Sequence, residues 1–508
     1  MKSSNLQQSS TREAPNPRFG AYCLDLLSSL NVGCWSLGRR VPSRPQERGS
    51  TFVIVLWIAF GLVSMALYFA HSMSLELRAS DNRVSGLSAE QAIAGAARYV
   101  NYLLATQIAN GSNGAFPDPA GYLAEAVPVG DAHFWLISRD TNLTTSGAGL
   151  LTFGLADESS RINLNSASSN LLAGLLLSLP RANPELTSAI LDWRDTNATG
   201  AFQTYYATRP QPYQCKNAPF ESVDELRLLY GADMDTLVGE DLNRNGILDP
   251  NENDENHNGT LEAGVLEYVT VYSREPNTYS NGTARVSLRV VSSTGTLPAL
   301  LQDALGSARA NAILGNLGLL SGPTPRQRGG PTGPGGATVI LSFPSPLAFY
   351  RASRMSSDEF AKVANALTVT NGAYISGRIN VNTASPTVLA SLPGFSSDPG
   401  LAQTLIQYRQ TNPDKLGSIA WVVDAVGQSN SSALDALQTT DCLTTQTFQI
   451  SADIAALGPN GRGYRRIRFV FDTSEGSPKI IYRQDLTHLG WALGKEVRTT
   501  WLLAKATR

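Results

Sequence analysis

The sequence predicts an α+β protein in which a long N-terminal helix packs on an antiparallel sheet and a large helical domain is inserted into that sheet. Three observations predict it. Apolar residues recur at spacings of three and four from an uncharged run at 50–75 through to Leu104, with no proline before Pro117. Several short runs further on alternate apolar and polar residues with period two, as half-buried strands do. An eight-residue segment occurs twice, and helical periodicity follows each copy. With 508 residues the length favours about three domains. A composition 42% hydrophobic and 16% charged excludes a disordered chain, and 40 Lys and Arg against 42 Asp and Glu argue against a whole-chain polyanion binder.

Residues 1–49 carry seven bases against three acids and form a basic N-terminal leader. Residues 50–105 follow as a transmembrane and amphipathic helix. Ser50 to Leu75 holds no formally charged residue, and 26 residues at 1.5 Å each give about 39 Å, enough to cross a hydrocarbon core of about 30 Å. A secretory signal offers a shorter apolar stretch and a small-residue cleavage site, which YFAHSMSLELR does not contain. The bases Arg39, Arg40, Arg44 and Arg48 place the N-terminus in the cytoplasm and the rest of the chain outside.

Residues 106–156 supply the first part of the sheet, with Phe134 to Ile137 as a strand. The first helical module, 157–240, opens on Arg161-Ile162-Asn163-Leu164-Asn165-Ser166-Ala167-Ser168. Helices follow at Leu171 to Leu176, at 188–195 and at 219–231.

The loop 241–265 is read as a calcium site. Ten acids lie against the single base Arg244 between Asp233 and Glu267. Asp241, Asn243, Asn245, the carbonyl of Ile247, Asp249 and Glu252 fall at positions 1, 3, 5, 7, 9 and 12 of an EF-hand-type loop, with Gly246 at the sharp turn. Asp254, Asn256, Asn258 and Glu262 repeat the pattern, but Val265 stands where the closing carboxylate belongs, leaving Glu252 or Glu267 to supply it. The cation's expected role is structural. Zinc would need His or Cys, and only His257 is near. An Asn/Asp-rich surface turn is the plain alternative.

Residues 266–291 are read as two further sheet strands, LEYVTVY at 266–272 and ARVSLRVV at 284–291. Residues 292–376 are an insertion holding the flexible linker GPTPRQRGGPTGPGG at 322–336. The second module, 377–440, repeats the first as Arg378-Ile379-Asn380-Val381-Asn382-Thr383-Ala384-Ser385, with helices at Val388 to Leu392, 403–410 and 416–427. The last strands, in 441–508, are Phe448 to Ile454, Ile467 to Phe471 and Ile480 to Tyr482. Cys215 and Cys442 lie on the oxidising side and are candidates to pair. The four histidines are scattered and there is no HExxH, GxSxG or CxxC, so no enzyme is expected.

Arg48-Gly49 before Ser50-Thr51-Phe52-Val53-Ile54-Val55 resembles the processing site of type IV prepilins, cut after Gly and methylated on the new terminus. The Glu usual at the fifth mature position is Ile54 here, which resembles the K-type minor pseudopilin of type II secretion. Asp157 to Asn165, Leu191 to Asp195, Tyr205-Tyr206 and Lys216 to Leu226 are similar to that family in order, and both modules match its helical domain. The resemblance implies a pilin-like fold carrying a SAM-like or helix-hairpin-helix-like insertion. It also implies a single-pass inner-membrane protein, mostly periplasmic, at the tip of the pseudopilus. Its partners would be other minor pseudopilins, the major pseudopilin, the prepilin peptidase and the inner-membrane platform of the secretion system. The rival is a membrane-anchored helix-hairpin-helix DNA-binding protein of the uptake type. That contact needs a Gly-apolar-Gly turn exposing backbone N–H groups, which Leu179 to Pro184 lacks and Ser396 to Pro399 interrupts, so no nucleic acid is expected.

Overall fold

The structure is a computed structural model that describes residues 50–142, 151–197, 200–279, 282–320 and 339–506. It divides into two units, the described residues being 50–75 in the first and those from Glu76 onward in the second. In the first, the described residues are helical and their large apolar side chains are bare, Phe52 being 71% and Trp57 78% exposed. The helix they belong to, Ser50–Ala109, is long and apolar enough to cross a membrane.

In the second unit the helix residues Ala89, Ala92, Ile93, Ala96, Val100 and Leu104 are buried against an antiparallel sheet. Their spacing of three and four keeps one face on the sheet, and the alanines let the backbones come close. The sheet runs Val127–Val129, Ala132–Ser138, Gln449–Leu457, Arg465–Asp472, Lys479–Asp485, with Thr152–Phe153 and Ala156–Asp157 paired onto the second and third of these. Alternate residues of the central strands face the helix: Phe134 and Leu136, Ile450 and Ile454, Ile467 and Phe471. Trp135, Ile137, Ala455 and Leu457 face the other way and are covered by Ala492 and Leu493. The expected strands of 106–156 and 441–508 therefore form the sheet, and the fold is α+β.

Everything from Glu158 to Phe448 is inserted between two strands that pair with each other, Ile450 lying opposite Asp157. The repeat is structural. Ile162–Asn163 pairs in parallel with Val269–Thr270, and Ile379–Asn380 pairs in parallel with Leu443–Thr444, each pair enclosing its module's helices. Asn163 Oδ1 accepts from Asn165 N at 2.9 Å and Asn380 Oδ1 from Asn382 N at 3.0 Å. Ser168 and Ser385 cap the helices Ser169–Ser178 and Pro386–Ala390. Arg194 donates to the carbonyls of Leu164 and Ala167, and Arg409 to those of Val381 and Ala384.

Three expectations are corrected. Residues 266–272 do not enter the large sheet: Val265–Tyr268 is a helical turn, because Val265 and Leu266 are both buried, and only Val269–Thr270 is strand. In 284–291 only Val286–Ser287 is strand, paired in parallel with Leu367–Thr368. The helix expected at 219–231 is a 3-10 segment, Val223–Leu228, opened by a Ser222/Glu225 capping box. The insertion 292–376 also has an internal logic. The pair Val286–Ser287 and Leu367–Thr368 encloses the helices Thr296–Leu305, Ser307–Asn316, Pro346–Ser353 and Ser357–Ala361. Their Leu301, Ile313, Phe349 and Phe360 share one core with both repeated modules. The linker 322–336 lies outside the described residues.

Candidate calcium loops and the residues that hold them

Both loops spring from one short antiparallel pairing, Gly239 against Ala263, closed by Glu240 N to Glu262 O at 2.9 Å and Gly264 N to Val238 O at 2.9 Å. In the first loop Asp241 takes the N–H groups of Asn245 at 2.9 Å and Gly246 at 2.8 Å. Asn243 Oδ1 takes Asn245 N at 3.0 Å, and Asn245 Oδ1 takes Ile247 N at 3.0 Å. The second loop repeats these bonds. Asp254 takes Asn258 N at 3.2 Å and Gly259 N at 2.8 Å; Asn256 takes Asn258 N at 3.0 Å; Asn258 takes Thr260 N at 2.6 Å. Positions 4 and 6 have positive φ in both, Arg244 at 56° with Gly246 at 82° and His257 at 55° with Gly259 at 69°. At Gly246 a Cβ would also lie 2.3 Å from Arg139 Cδ.

The closing carboxylates differ. Glu252 takes Asn243 N at 3.1 Å and Asp249 N at 3.0 Å. In the second loop neither Glu252 nor Glu267 does this. Glu240, buried and paired with Arg181 at 2.9 Å, takes Glu255 N at 3.3 Å and Glu262 N at 3.1 Å. Sequence reasoning missed it because Glu240 precedes the loop it closes; only the pairing of Gly239 with Ala263 brings it there. Glu267 instead pairs with Arg139 at 3.0 Å.

Donor chemistry fits a hard cation: carboxylate, amide and carbonyl oxygens, with no sulfur or ring nitrogen required. Among the described residues no group of three or more His, Cys, Asp or Glu is gathered as a preformed metal cage. Asp249 Oδ2 is satisfied instead by the side-chain amides of Asn243 at 2.7 Å and Asn245 at 2.9 Å, and Glu262 Oε1 by those of Asn256 at 2.6 Å and Asn258 at 3.1 Å. Burial pushes Glu252 up to about 7, with Asp241 and Asp249 adding repulsion, and burial also raises Asp241.

Sheet arginines grip the first loop from behind. Arg466, fully buried on its ion pair with Asp453 at 2.5 Å, donates to the carbonyls of Asn243 and, at 2.7 Å, Arg244. Arg139 donates to Arg244 O at 2.7 Å and Asn245 O at 2.8 Å. Burial works against the charge on Glu267, but Arg139, Arg161 and Arg244 outweigh it and hold the carboxyl below its usual range.

Of the remaining predicted residues, Gly49 lies outside the described residues and Ser50 begins the described helix. Cys215 and Cys442, the candidates to pair, are both free thiols in this structure. Cys215 lies within the first module beside Asp192, its Sγ 3.5 Å from that carbonyl, and Cys442 borders the second module's closing strand beside Thr440. The turns that follow the first helix of each module carry exposed residues, Pro180 and Pro184 in one and Ser396 to Gly400 in the other. A Cβ on Gly394 would lie 2.8 Å from Ala433 O, and Arg181 is engaged by Glu240 and Glu255.

A helix long and apolar enough to cross a membrane, whose residues 89–104 pack on an antiparallel sheet interrupted by helical modules, defines a pilin-like α+β fold. Two segments, 153–238 and 379–440, match family models described as type II secretion system (T2SS), protein K. Over these two segments, which hold the repeated modules, the chain is similar to that family. A solved structure, that of the GspK-GspI-GspJ complex of the type 2 secretion system of enterotoxigenic Escherichia coli, is similar at 11% identity and a TM-score of 0.38, over 81% of this chain and 99% of that one. No curated relative matches the chain.

Proposed function

We propose that the protein is a minor pseudopilin of type II secretion, cut after Gly49 and methylated on Ser50, and that it forms or caps the tip of the periplasmic pseudopilus, starting its assembly for protein export across the outer membrane. The observation that carries this reading is the insertion of all residues from Glu158 to Phe448 between two paired sheet strands. Such bulk does not repeat along a packed shaft, whereas an end position tolerates it. Ile54 fits the same place, because a terminal subunit has no neighbour above whose amino group a Glu would neutralise.

The apolar run is a single inner-membrane pass with a cytoplasmic N-terminus and a periplasmic bulk. The helix meets other minor pseudopilins, the major pseudopilin and the platform, after the prepilin peptidase has acted. Calcium, held by Asp241, Asn243, Asn245, Ile247 O, Asp249 and Glu252 and in the second loop by Asp254, Asn256, Asn258 and Glu262, supplies positive charge that fixes the connection between first module and sheet. Mass spectrometry of the protein isolated from its membrane is the test. The expected terminus is methylated Ser50, and any other start overturns the proposal.

A further inference from the structure

The Asp241–Glu252 loop also touches the far end of the chain. Asn243 Nδ2 donates to Trp491 O at 3.1 Å and Asn245 Nδ2 to Ala492 O at 3.2 Å. A Cβ on Gly494, the first residue of the C-terminal helix Gly494–Ala506, would sit 3.6 Å from Ile247 Cδ1. Between these points Ala492 and Leu493 are buried, at 0% and 1% exposure, over Trp135, Ile137, Ala455 and Leu457. The segment that covers the second face of the sheet is thus fastened by two side chains at cation-ligand positions 3 and 5.

Those positions accept Asp as readily as Asn for ligation, since either supplies an oxygen. Only Asn also carries an NH₂ group that can reach a backbone carbonyl. Each Asn can therefore face the cation with its oxygen and the C-terminal backbone with its nitrogen, and a bound cation would fix both amides in one orientation. The same NH₂ groups also donate to Asp249 Oδ2, at 2.7 and 2.9 Å, and the loop is held besides by its own turns and by Arg139 and Arg466.

We infer that the first loop is a cation-set latch for the C-terminus: occupancy orders Asn243 and Asn245 so that they hold Trp491 and Ala492, and removal of the cation frees the segment from 491 onward and bares Trp135, Ile137, Ala455 and Leu457. The inference rests on the reading of the loop as a calcium site.

The test separates the two. Full-length protein in detergent is titrated with calcium chloride by calorimetry, and hydrogen exchange of residues 490–500 is followed in calcium and in chelator. Chelation is expected to speed exchange there by about tenfold, the order expected for weakening two hydrogen bonds. Asn243→Asp with Asn245→Asp keeps an oxygen at each ligand position, so it should still bind calcium yet exchange in calcium as fast as the parent does in chelator. Asn245→Asp alone, which leaves the Asn243 bond, should fall between, and Asn256→Asp with Asn258→Asp in the second loop should match the parent. Calcium binding with unchanged exchange at 490–500, or full protection in the Asp variants, overturns the latch and leaves the calcium reading standing. Absence of calcium binding to the parent overturns both.

Discussion

Asn380 donates its side-chain amide to Asp157 at 2.9 Å, tying the second repeated strand to the sheet strand from which the first module departs. The same carboxylate takes the hydroxyls of Thr383 and Thr447, each at 2.6 Å, and Ser159 N at 2.7 Å. One acid thus joins the sheet, both modules and the return of the chain.

That junction makes stability fall as pH rises. Burial outweighs the four hydrogen bonds and pushes Asp157 from 3.8 up to about 6. The native state therefore holds a proton that the unfolded chain has released, so stability is greatest below the ordinary value and is lost as pH climbs through the window to about 6, by roughly 3 kcal/mol in all. Asp157→Asn should abolish this loss. Urea midpoints of parent and variant at pH 4 and pH 7 check it, and their difference cancels the other carboxyls, including Glu158. A difference independent of pH refutes the assignment.

Glu252 and Glu240 each take two N–H groups of one loop, that of position 9 in both, so their substitutions should separate the two proposed calcium sites. Glu252→Gln is expected to weaken the first site by tenfold or more, on the order seen when a ligand or its support is removed, and Glu240→Gln the second by a similar factor. Glu240 also pairs with Arg181 at 2.9 Å, so Arg181→Ala serves as the control. If Arg181→Ala reproduces the Glu240→Gln titration, Glu240 acts through the ion pair and does not close the loop.

Arg466 should be among the costliest residues to lose. Truncation to Ala takes from the largely covered Asp453 its direct ion-pair partner and strips donors from the carbonyls of Asn243 and Arg244. Breaking a buried pair in this way costs about 3 to 5 kcal/mol. Thermal unfolding of Arg466→Ala beside Arg466→Ala with Asp453→Ala measures it, and the double variant should recover part of the loss.

The fold was legible in the sequence where residues act locally. Asn163 and Asn380 each bond the backbone two residues on, Ser168 and Ser385 cap the next helix, and the loop residues bond within their own turns, so short motifs carried them. What depended on tertiary closure was hidden. Apolar runs at 266–272 and 284–291 read as sheet strands because a buried turn and a strand share composition, and the large core that takes them is built from the modules and the insertion together. Glu240, Arg139 and Arg466 act on loops distant in sequence or across a fold-back, and no spacing rule reaches them.

The hairpin Gly458–Gly463 tests how tightly the N-terminal helix is held to the sheet within the second unit. At Gly463, φ +69°, a Cβ would lie 2.3 Å from Ser85 C and 2.4 Å from Gly86 N, both helix backbone. At Gly461, φ +67°, the same Cβ meets nothing within 4 Å. The two positions carry the same conformational penalty, about 1 to 2 kcal/mol for an L side chain in the left-handed region. Gly463→Ala adds a clash with backbone that cannot rotate away, worth a further 1 to 3 kcal/mol by the usual cost of overpacking. Gly461→Ala should lower the unfolding midpoint modestly and Gly463→Ala clearly more, with faster hydrogen exchange at 82–90 in Gly463→Ala alone. Equal effects of the two would mean that the helix is not braced against this turn.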